Sequence, residues 1–297
     1  MLNRLCLIVF LACGMAHWAE AQIVKEFAVK ERSGFDQVQL NFSSYKGVSS
    51  IDRLYSNKPL MIHAHLSKVN ILPEFQYSID DNTLKATLNH SDVDRESFGK
   101  SLSSKLFASA EGDFDHTWEV GLSEDFNYDL NLQFGIGRAN VDLSHIKVKK
   151  CKINTATADV YLTFQDEAIN SVAMDTLLVK VNMGTVDGIN VAHANARNLI
   201  FDVNYGKVNL NFRKMPHDIG PCLVTTTVGA GAVYIALPSP QYPYIIRINS
   251  TAMCRTKLPS YLSELEEKVY VSKGYKKNAA NLMEFEIDVS VGSLVLQ

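Results

Sequence analysis

Apolar and polar residues alternate along much of this chain, and the alternation passes repeatedly through one small residue. Residues 201–212 read FDVNYGKVNLNF and residues 285–296 read FEIDVSVGSLVL, each with a central glycine. Successive side chains of a strand point to opposite faces, so a period of two predicts strands with one buried face rather than amphipathic helices. These stretches are therefore predicted to be β-strands.

The same pattern recurs when the chain is aligned on this small residue, called the anchor below. Its positions are Gly137, Ala158, Gly184, Gly206, Gly231 and Gly292. The first, third and fifth residues before the anchor, and the second and fourth after it, are mostly apolar or small, so all of them are expected on the buried face. Glycine suits a corner because it reaches φ > 0 and allows two backbones to approach closely.

A strand–corner–strand unit cannot bury its apolar face alone, but it can do so when it stacks on copies of itself. The sequence therefore predicts an all-β fold. Stacked repeats form a single-chain β-solenoid over residues 128–297, preceded by a smaller N-terminal β region over 22–127. An antiparallel meander with generic turn glycines is the alternative. The long gap before the last repeat is interpreted as an insertion at 238–282, with a strand at 245–248 and a short amphipathic helix over 261–272.

Three features are expected in the N-terminal region. Apolar residues alternate over 38–42 toward Gly47, which indicates a degenerate first coil. They alternate again over 75–79 and 84–88, on both sides of an Asp-Asp-Asn-Thr turn, which predicts a hairpin. The stretch 91–115, which is rich in Ser, Asp and Glu, is interpreted as a loop or short helix.

Residues 1–21 predict a signal peptide. Arg4 supplies a positive charge, residues 5–16 form an apolar stretch too short to span a bilayer, and the chain then carries an A-x-A cleavage site. The mature protein is expected to begin at Gln22. The alternative is a lipoprotein with its lipid on Cys13. Later apolar runs are too short to cross a membrane, so no transmembrane span is expected.

Composition narrows the function classes. The chain has 297 residues and is 46% apolar, enough for a sizeable core, and its 29 basic and 32 acidic residues give a net charge of −3. Nucleic-acid binding usually requires a stronger basic footprint, so no nucleic-acid partner is expected. Behind the signal peptide the chain keeps Cys151, Cys222 and Cys254. An odd number argues against a disulfide framework, although one bridge stays open.

Candidate chemistry is sparse. The sequence contains no GxSxG, HExxH, CxxC or P-loop motif. His63 and His65 have metal-ligand spacing on one strand face, and His217, Asp218 and Cys222 cluster near two prolines. The first set is interpreted as exposed strand residues and the second as residues of a turn. No metal and no cofactor are therefore expected.

Carboxylates are also few on the outward positions. Asp142, Asp159 and Asp187 lie at different distances from their anchors, so they do not form the converging acid and base that polysaccharide cleavage needs. Asp175-Thr176-Leu177 matches a short acceptor pattern for periplasmic O-glycosylation, at a position interpreted as a turn. Thr176 is therefore a candidate modification site.

The third residue after each anchor is the one recurrent outward feature. Tyrosine rings can stack on sugars and amides can bond hydroxyl groups, so a row of them would suit a glycan. The same pattern also describes any solvated sheet face. The candidate binding residues are Asn140, Tyr161, Asp187, Asn209 and Tyr234.

The phrases LQFGIGRANVDL, VNYGKVNLNF, TTVGAGAVYIALP and IDVSVGSLVL resemble the repeat of the toast-rack, or "putative-adhesin", β-solenoid family of bacterial envelope proteins. The block KPLMIHAHL with FQYSIDDNTLKATL resembles the part that precedes these repeats in Bacteroides-type members. The resemblance implies a secreted or periplasmic all-β protein without established catalytic residues, so it assigns no site residues. The insertion and Ala158 depart from the plainest repeat.

The expected function is that of a non-enzymatic envelope protein. It would lie in the periplasm or at the cell surface of a Gram-negative bacterium and present a sheet face to an envelope polymer, a glycan or a surface protein. Two other classes stay open. One is a β-helix enzyme acting on polysaccharide, and the other is a sensory or regulatory solenoid that docks to a membrane-bound partner, as the family's stress-response members suggest.

Overall fold

The computed structural model describes residues 22–30, 33–67, 72–90, 116–165, 168–217 and 219–297. The predicted signal peptide with Cys13, the stretch 91–115 and Asp218 lie outside the described residues. Within these ranges the chain forms sixteen strands and one short 3₁₀ helix (Val191–Ala194). No helix among the described residues is long and apolar enough to cross a membrane.

The strands are numbered in chain order. They are β1 (Gln22–Ala28), β2 (Gln37–Arg53), β3 (Leu60–Ser67), β4 (Glu74–Asp80), β5 (Thr83–His90), β6 (Thr117–Leu122), β7 (Asn127–Asp142), β8 (Lys147–Thr163), β9 (Met174–Ile189), β10 (Ala196–Asn211), β11 (Cys222–Ala236), β12 (Tyr244–Ser250), β13 (Cys254–Lys257), β14 (Ser263–Glu266), β15 (Val269–Val271) and β16 (Met283–Leu296).

Seven long strands carry the repeats. They are 14 to 17 residues long and lie side by side in the order β2-β7-β8-β9-β10-β11-β16. Every neighbouring pair in this stack is parallel. Gly137 lies opposite Ala158, and Gly184, Gly206, Gly231 and Gly292 lie opposite one another in succession. The predicted β-solenoid is therefore confirmed, whereas an antiparallel meander is wrong.

Each long strand has a first arm before the anchor and a second arm after it, and the core lies between the two arms. Phe42, in the first arm of β2, meets Trp118 of β6 edge to face, with 5.7 Å between ring centroids. At the other end, Phe212, which follows the second arm of β10, meets Phe285 in the first arm of β16 at 5.2 Å. All four side chains are almost fully buried.

The corner glycines are required by their conformation and by the contact between coils. Gly206 has φ of 147°, where side chains are rarely accommodated, and a Cβ there would lie 1.8 Å from the carbonyl oxygen of Gly184. At Gly231 and Gly292 the corresponding distance to the coil before is 1.7 Å. No L-residue fits such a space without a backbone shift, which explains why the sequence repeats a glycine.

The prediction of burial is wrong for one row of residues. The residue just before the anchor points outward: Met183 is 37% exposed, Tyr205 58% and Val291 40%. In these strands the four positions from two before to one after the anchor are not buried, and burial resumes two residues after it. The corner interrupts the strand alternation, so the period of two cannot be carried through it.

Ala158 takes the predicted position in a different conformation. It pairs with Gly137, but it is not among the residues with positive φ. The ladder between β8 and β9 stops at Thr155 and resumes at Val160. The Asp159 carboxylate bridges this gap by accepting a 2.8 Å hydrogen bond from the backbone N–H of Thr185.

The stack of coils starts earlier than the repeat pattern. β2 pairs with β7 along both arms, and Gly47 (φ 115°) lies opposite Gly137, which confirms the degenerate first coil. The hairpin is confirmed as β4 and β5 with Asp81 in its turn. β5 flanks the first arm of β2, while β6, β3 and β1 extend its second arm. A domain boundary at 127/128 stays a prediction, and the ladder between β2 and β7 crosses it.

The insertion lies against the last coil. β11 pairs directly with β16, so residues 238–282 do not contribute a further coil to the stack. The strand at 245–248 is confirmed as part of β12, which pairs with the first arm of β16, and β13 pairs with its second arm. The helix over 261–272 is wrong, because β14 and β15 form there as an antiparallel pair. Lys268, with φ of 59°, turns the chain between them.

Candidate functional site

The five candidate residues form one row on the second arms. Asn140 lies opposite Tyr161, Tyr161 opposite Asp187, Asp187 opposite Asn209, and Asn209 opposite Tyr234. All five are half-buried and alternate with buried core residues, which places them on the outer face. We call this set the tyrosine–amide row. The structure therefore brings together the residues selected by their distance from the anchor.

Local contacts fix the side chains of the tyrosine–amide row. The Asn209 amide donates a 3.3 Å hydrogen bond to the Asp187 carboxylate. The guanidinium carbon of Arg138 lies 5.3 Å from the Tyr161 ring centroid, and the ammonium of Lys207 lies 4.8 Å from that of Tyr234. Such cation–π contacts stabilise exposed rings by about 0.5–1 kcal/mol. The row thus presents oriented rings, amides and cations on an open face.

The row continues beyond these five residues. Cross-strand pairing extends it over four more strands at the N-terminal end and over β16 and β13 at the other end, about 48 Å in all at the usual strand spacing. No pattern in the sequence predicts the part of this extension on β1, β3 and β6, because these strands carry no repeat and pair antiparallel with one another. The added residues are Ser50, Glu119, His63, Glu26, Val295 and Lys257.

The outward carboxylates of the repeats have separate structural partners. Asp142 accepts a 2.9 Å hydrogen bond from the backbone N–H of Ser144, while Asp159 and Asp187 accept the hydrogen bonds described above. They lie in three different rows, as predicted. Among the described residues, no group of three or more His, Cys, Asp or Glu side chains is placed to hold a metal ion.

One group of acids gathers across strands that the sequence did not connect. The pKa of Asp52 is raised, first by partial burial of its carboxyl group and then by repulsion from Glu119 and Asp142, although the residue as a whole is exposed. The group lies at the N-terminal end of the outer face of the second arms. Its members come from β2, β6 and β7, so only the fold brings them together.

The three cysteines are free, so the bridge left open by the sequence is not formed. Burial raises the pKa of the Cys151 and Cys222 thiols to about 12, which keeps both protonated at neutral pH.

Thr176 lies within β9, between Lys150 and Asn198 of the neighbouring strands, and not in a turn. Its hydroxyl donates to the Asp175 carboxylate at 2.9 Å. O-glycosylation at Thr176 stays a prediction, but the predicted position in a turn is wrong.

A concave site on the first arms was missed by the sequence analysis. It is a groove of about 700 Å³ on the outer face of β4, β5, β2 and β7. Two cross-strand rows of polar side chains line it, and we call it the amide groove. The rows are Gln76, Thr87, Asn41 and Asn131, and Glu74, Asn89, Ser43 and Gln133.

Comparison with known proteins agrees with this architecture. Residues 22–184 match the family described as the N-terminal domain of toast_rack. This match covers more than half of the chain, so the chain belongs to the toast-rack family. No curated protein is similar enough in sequence to match the chain.

The solved structures that match this chain include three from bacteria. A "putative cell adhesion protein" from Clostridium sporogenes has a TM-score of 0.51 and 16% identity, covering 93% of this chain and 99% of its own. A "putative adhesin" from Bacteroides fragilis has 0.36 and 12%, covering 94% and 98%. Another from Parabacteroides merdae has 0.32 and 10%, covering 94% and 97%. At this identity the Clostridium structure shows a shared fold.

Proposed function

We propose that this protein is an exported, adhesin-like binding protein of the cell envelope, without catalytic activity, that presents the outer face of its second arms to an envelope polymer or surface protein. The tyrosine–amide row carries the proposal. Five residues chosen by repeat position alone lie side by side, with two ring–cation pairs and an amide–carboxylate bond that orient them. Oriented rings and amides on a broad face suit an extended ligand.

The comparisons support an adhesin-like function. The chain belongs to the toast-rack family, and the Clostridium structure that shares its fold is described as a "putative cell adhesion protein". The A-x-A site supports export, with a location in the periplasm or at the cell surface. The intact mass of envelope-fraction protein should correspond to a mature chain beginning at Gln22. An uncleaved chain or a lipid on Cys13 would contradict this processing.

The row favours binding over catalysis because an open sheet face does not exclude water from a bound ligand. One observation favours a polysaccharide-cleaving enzyme, namely the acid group of Asp52, Glu119 and Asp142. A carboxyl group with raised pKa beside a carboxylate is a common acid–base pair. We expect no shortened products when the protein is incubated with polysaccharides. Products that disappear in the Asp52→Asn variant would establish the enzyme instead.

The binding test uses the two tyrosines of the row. The double variant Tyr161→Ala and Tyr234→Ala should weaken retention on immobilised envelope polysaccharide severalfold, while the melting temperature changes little because both rings lie on the outer face. Tyr205→Ala is the matched control, since this ring is 58% exposed but lies at the corner, outside the row. Equal retention of the double variant and the wild type would move the contact surface away from the row.

A further inference from the structure

We propose that the amide groove is a second binding site, specific for a neutral glycan chain. It lies on the outer face of the first arms and is thus separate from the tyrosine–amide row on the second arms. This inference rests on the proposed function only in that the protein binds polymers rather than cleaving them. The chemistry of the lining selects the ligand class.

The outward side chains that line the groove are polar in type and nearly uncharged. Eight outward side chains line the groove; seven of them are amides or hydroxyl groups, and Glu74 is the one that carries a charge. Phe42 and Leu88 also line the groove, but both residues belong to the buried core. A set without cations offers no counter-charge to phosphate, sulfate or carboxylate groups of an acidic polymer. A neutral ligand therefore fits the groove better than an anionic one.

Amides and hydroxyl groups both donate and accept hydrogen bonds, which matches the hydroxyl groups of a sugar, since these also do both. The groove presents them as a grid, with about 4.8 Å between strands and about 6.8 Å between the two rows along each strand. Four strands in succession carry this grid. A chain of pyranose rings laid across the strands would repeat at nearly the strand spacing, so successive rings would meet equivalent partners.

A protein or peptide ligand fits the groove less well. Peptide recognition usually depends on buried aromatic or aliphatic anchors that enter apolar pockets. The side chains that project into this groove include none that is aromatic or aliphatic. The groove thus offers hydrogen bonds without an apolar anchor site, which is the pattern for a hydrophilic ligand.

The groove is held in shape before any ligand binds. The Asn131 amide donates a 3.1 Å hydrogen bond to the Asn41 side-chain oxygen, linking β7 to β2 across the groove floor. Phe42 and Leu88, at most 1% exposed, fix the strands beneath it. A preformed site loses less conformational entropy on binding, which allows individually weak hydrogen bonds to sum to measurable affinity.

Affinity electrophoresis in gels that contain a soluble polysaccharide tests the proposal. The neutral probes are laminarin, dextran, mannan and galactan, and the anionic probe is alginate. The full mature chain should be retarded by at least one neutral polymer, more strongly than by alginate. The double variant Gln76→Ala and Gln133→Ala should weaken that interaction about tenfold, as expected for the loss of two hydrogen bonds.

The matched control removes two amides from the same outer face outside the groove. Asn182→Ala with Asn204→Ala deletes an amide pair joined by a 3.0 Å hydrogen bond, further along the first arms. This variant should bind like the wild type. Glu74→Gln removes the one charge of the lining, and a variant that then binds alginate more strongly than any neutral polymer would indicate an anionic ligand and overturn the proposal.

Further outcomes separate the two sites. Retardation by none of the neutral polymers, or equal loss in the groove and control variants, overturns the amide groove. Loss in the groove variant with full binding by the Tyr161→Ala, Tyr234→Ala variant supports the groove while contradicting the tyrosine–amide row. Shortened polysaccharide products would contradict the non-enzymatic function without contradicting binding in the groove.

Discussion

The repeat stack and the insertion at 238–282 differ in how their strands find pairing partners. In the stack, every coil pairs with a near copy of itself, so backbone ladders and buried rows continue from strand to strand in register. The insertion has no copy to pair with. Its strands β13, β14 and β15 are three or four residues long. Two of them, β13 and β14, expose nearly every side chain.

Side chains attach the insertion to the stack where repetition cannot. Arg247 forms a 2.7 Å ion pair with Glu284, and the Asn249 amide donates a 2.6 Å hydrogen bond to Asp288, both across the pairing of β12 with β16. Tyr244 and Ile246 add fully buried side chains to the shared core. Repetition therefore specifies the stack, whereas the insertion is specified by the strand edge that it covers.

The largest expected effect follows from removing that cover. Replacing residues 243–281 with a short Gly-Ser linker should cause concentration-dependent association that the wild type does not show, because it exposes both arms of β16 as a free strand edge. Size-exclusion chromatography with light scattering measures this. The same linker placed in the β4–β5 turn controls for the linker itself. A deletion variant that has the same mass per particle as expected from the wild type and equal stability would show that the insertion is not a cover.

The next effect concerns the corner of the stack. Gly206→Val should destabilise the protein by about 3–5 kcal/mol, because it adds backbone strain at positive φ to a collision with the Gly184 carbonyl. Thermal unfolding followed by circular dichroism measures the loss. Lys207→Val, on the next and exposed residue, should cost little beyond its contact with Tyr234. Similar melting temperatures for the two variants would contradict the structural need for glycine.

A smaller effect compares one substitution in the two regions. Leu294→Ala in β16 should cost about 2–5 kcal/mol, because this side chain is fully buried between the arms. Leu265→Ala in the insertion should be nearly neutral, since Leu265 is 54% exposed. Urea unfolding of both variants gives the difference. Equal costs would mean that the insertion packs as tightly as the stack.

Sequence reasoning succeeded where the chain repeats. The anchor alignment predicted which residues share a row, including the neighbours Asn140 and Tyr161, because in-register stacking turns equal sequence position into spatial contact. It failed where that rule does not apply. Leu262, Leu265 and Val269 have helical spacing, yet Lys268 turns the chain and the segment pairs as strands instead. Helical spacing over so few residues is a weak signal against an available strand partner.

Local patterns in the sequence specify the all-β class, the corner glycines, the register of the repeats and the tyrosine–amide row. Each of these depends on a local period or on a backbone conformation that only glycine adopts easily. Which unlike strands become neighbours is visible only in the folded chain. It placed β4 and β5 beside β2, which creates the amide groove, and β6 beside β2, which brings Glu119 to Asp52. Pairing between strands of unrelated sequence depends on packing over the whole core, which no local pattern records.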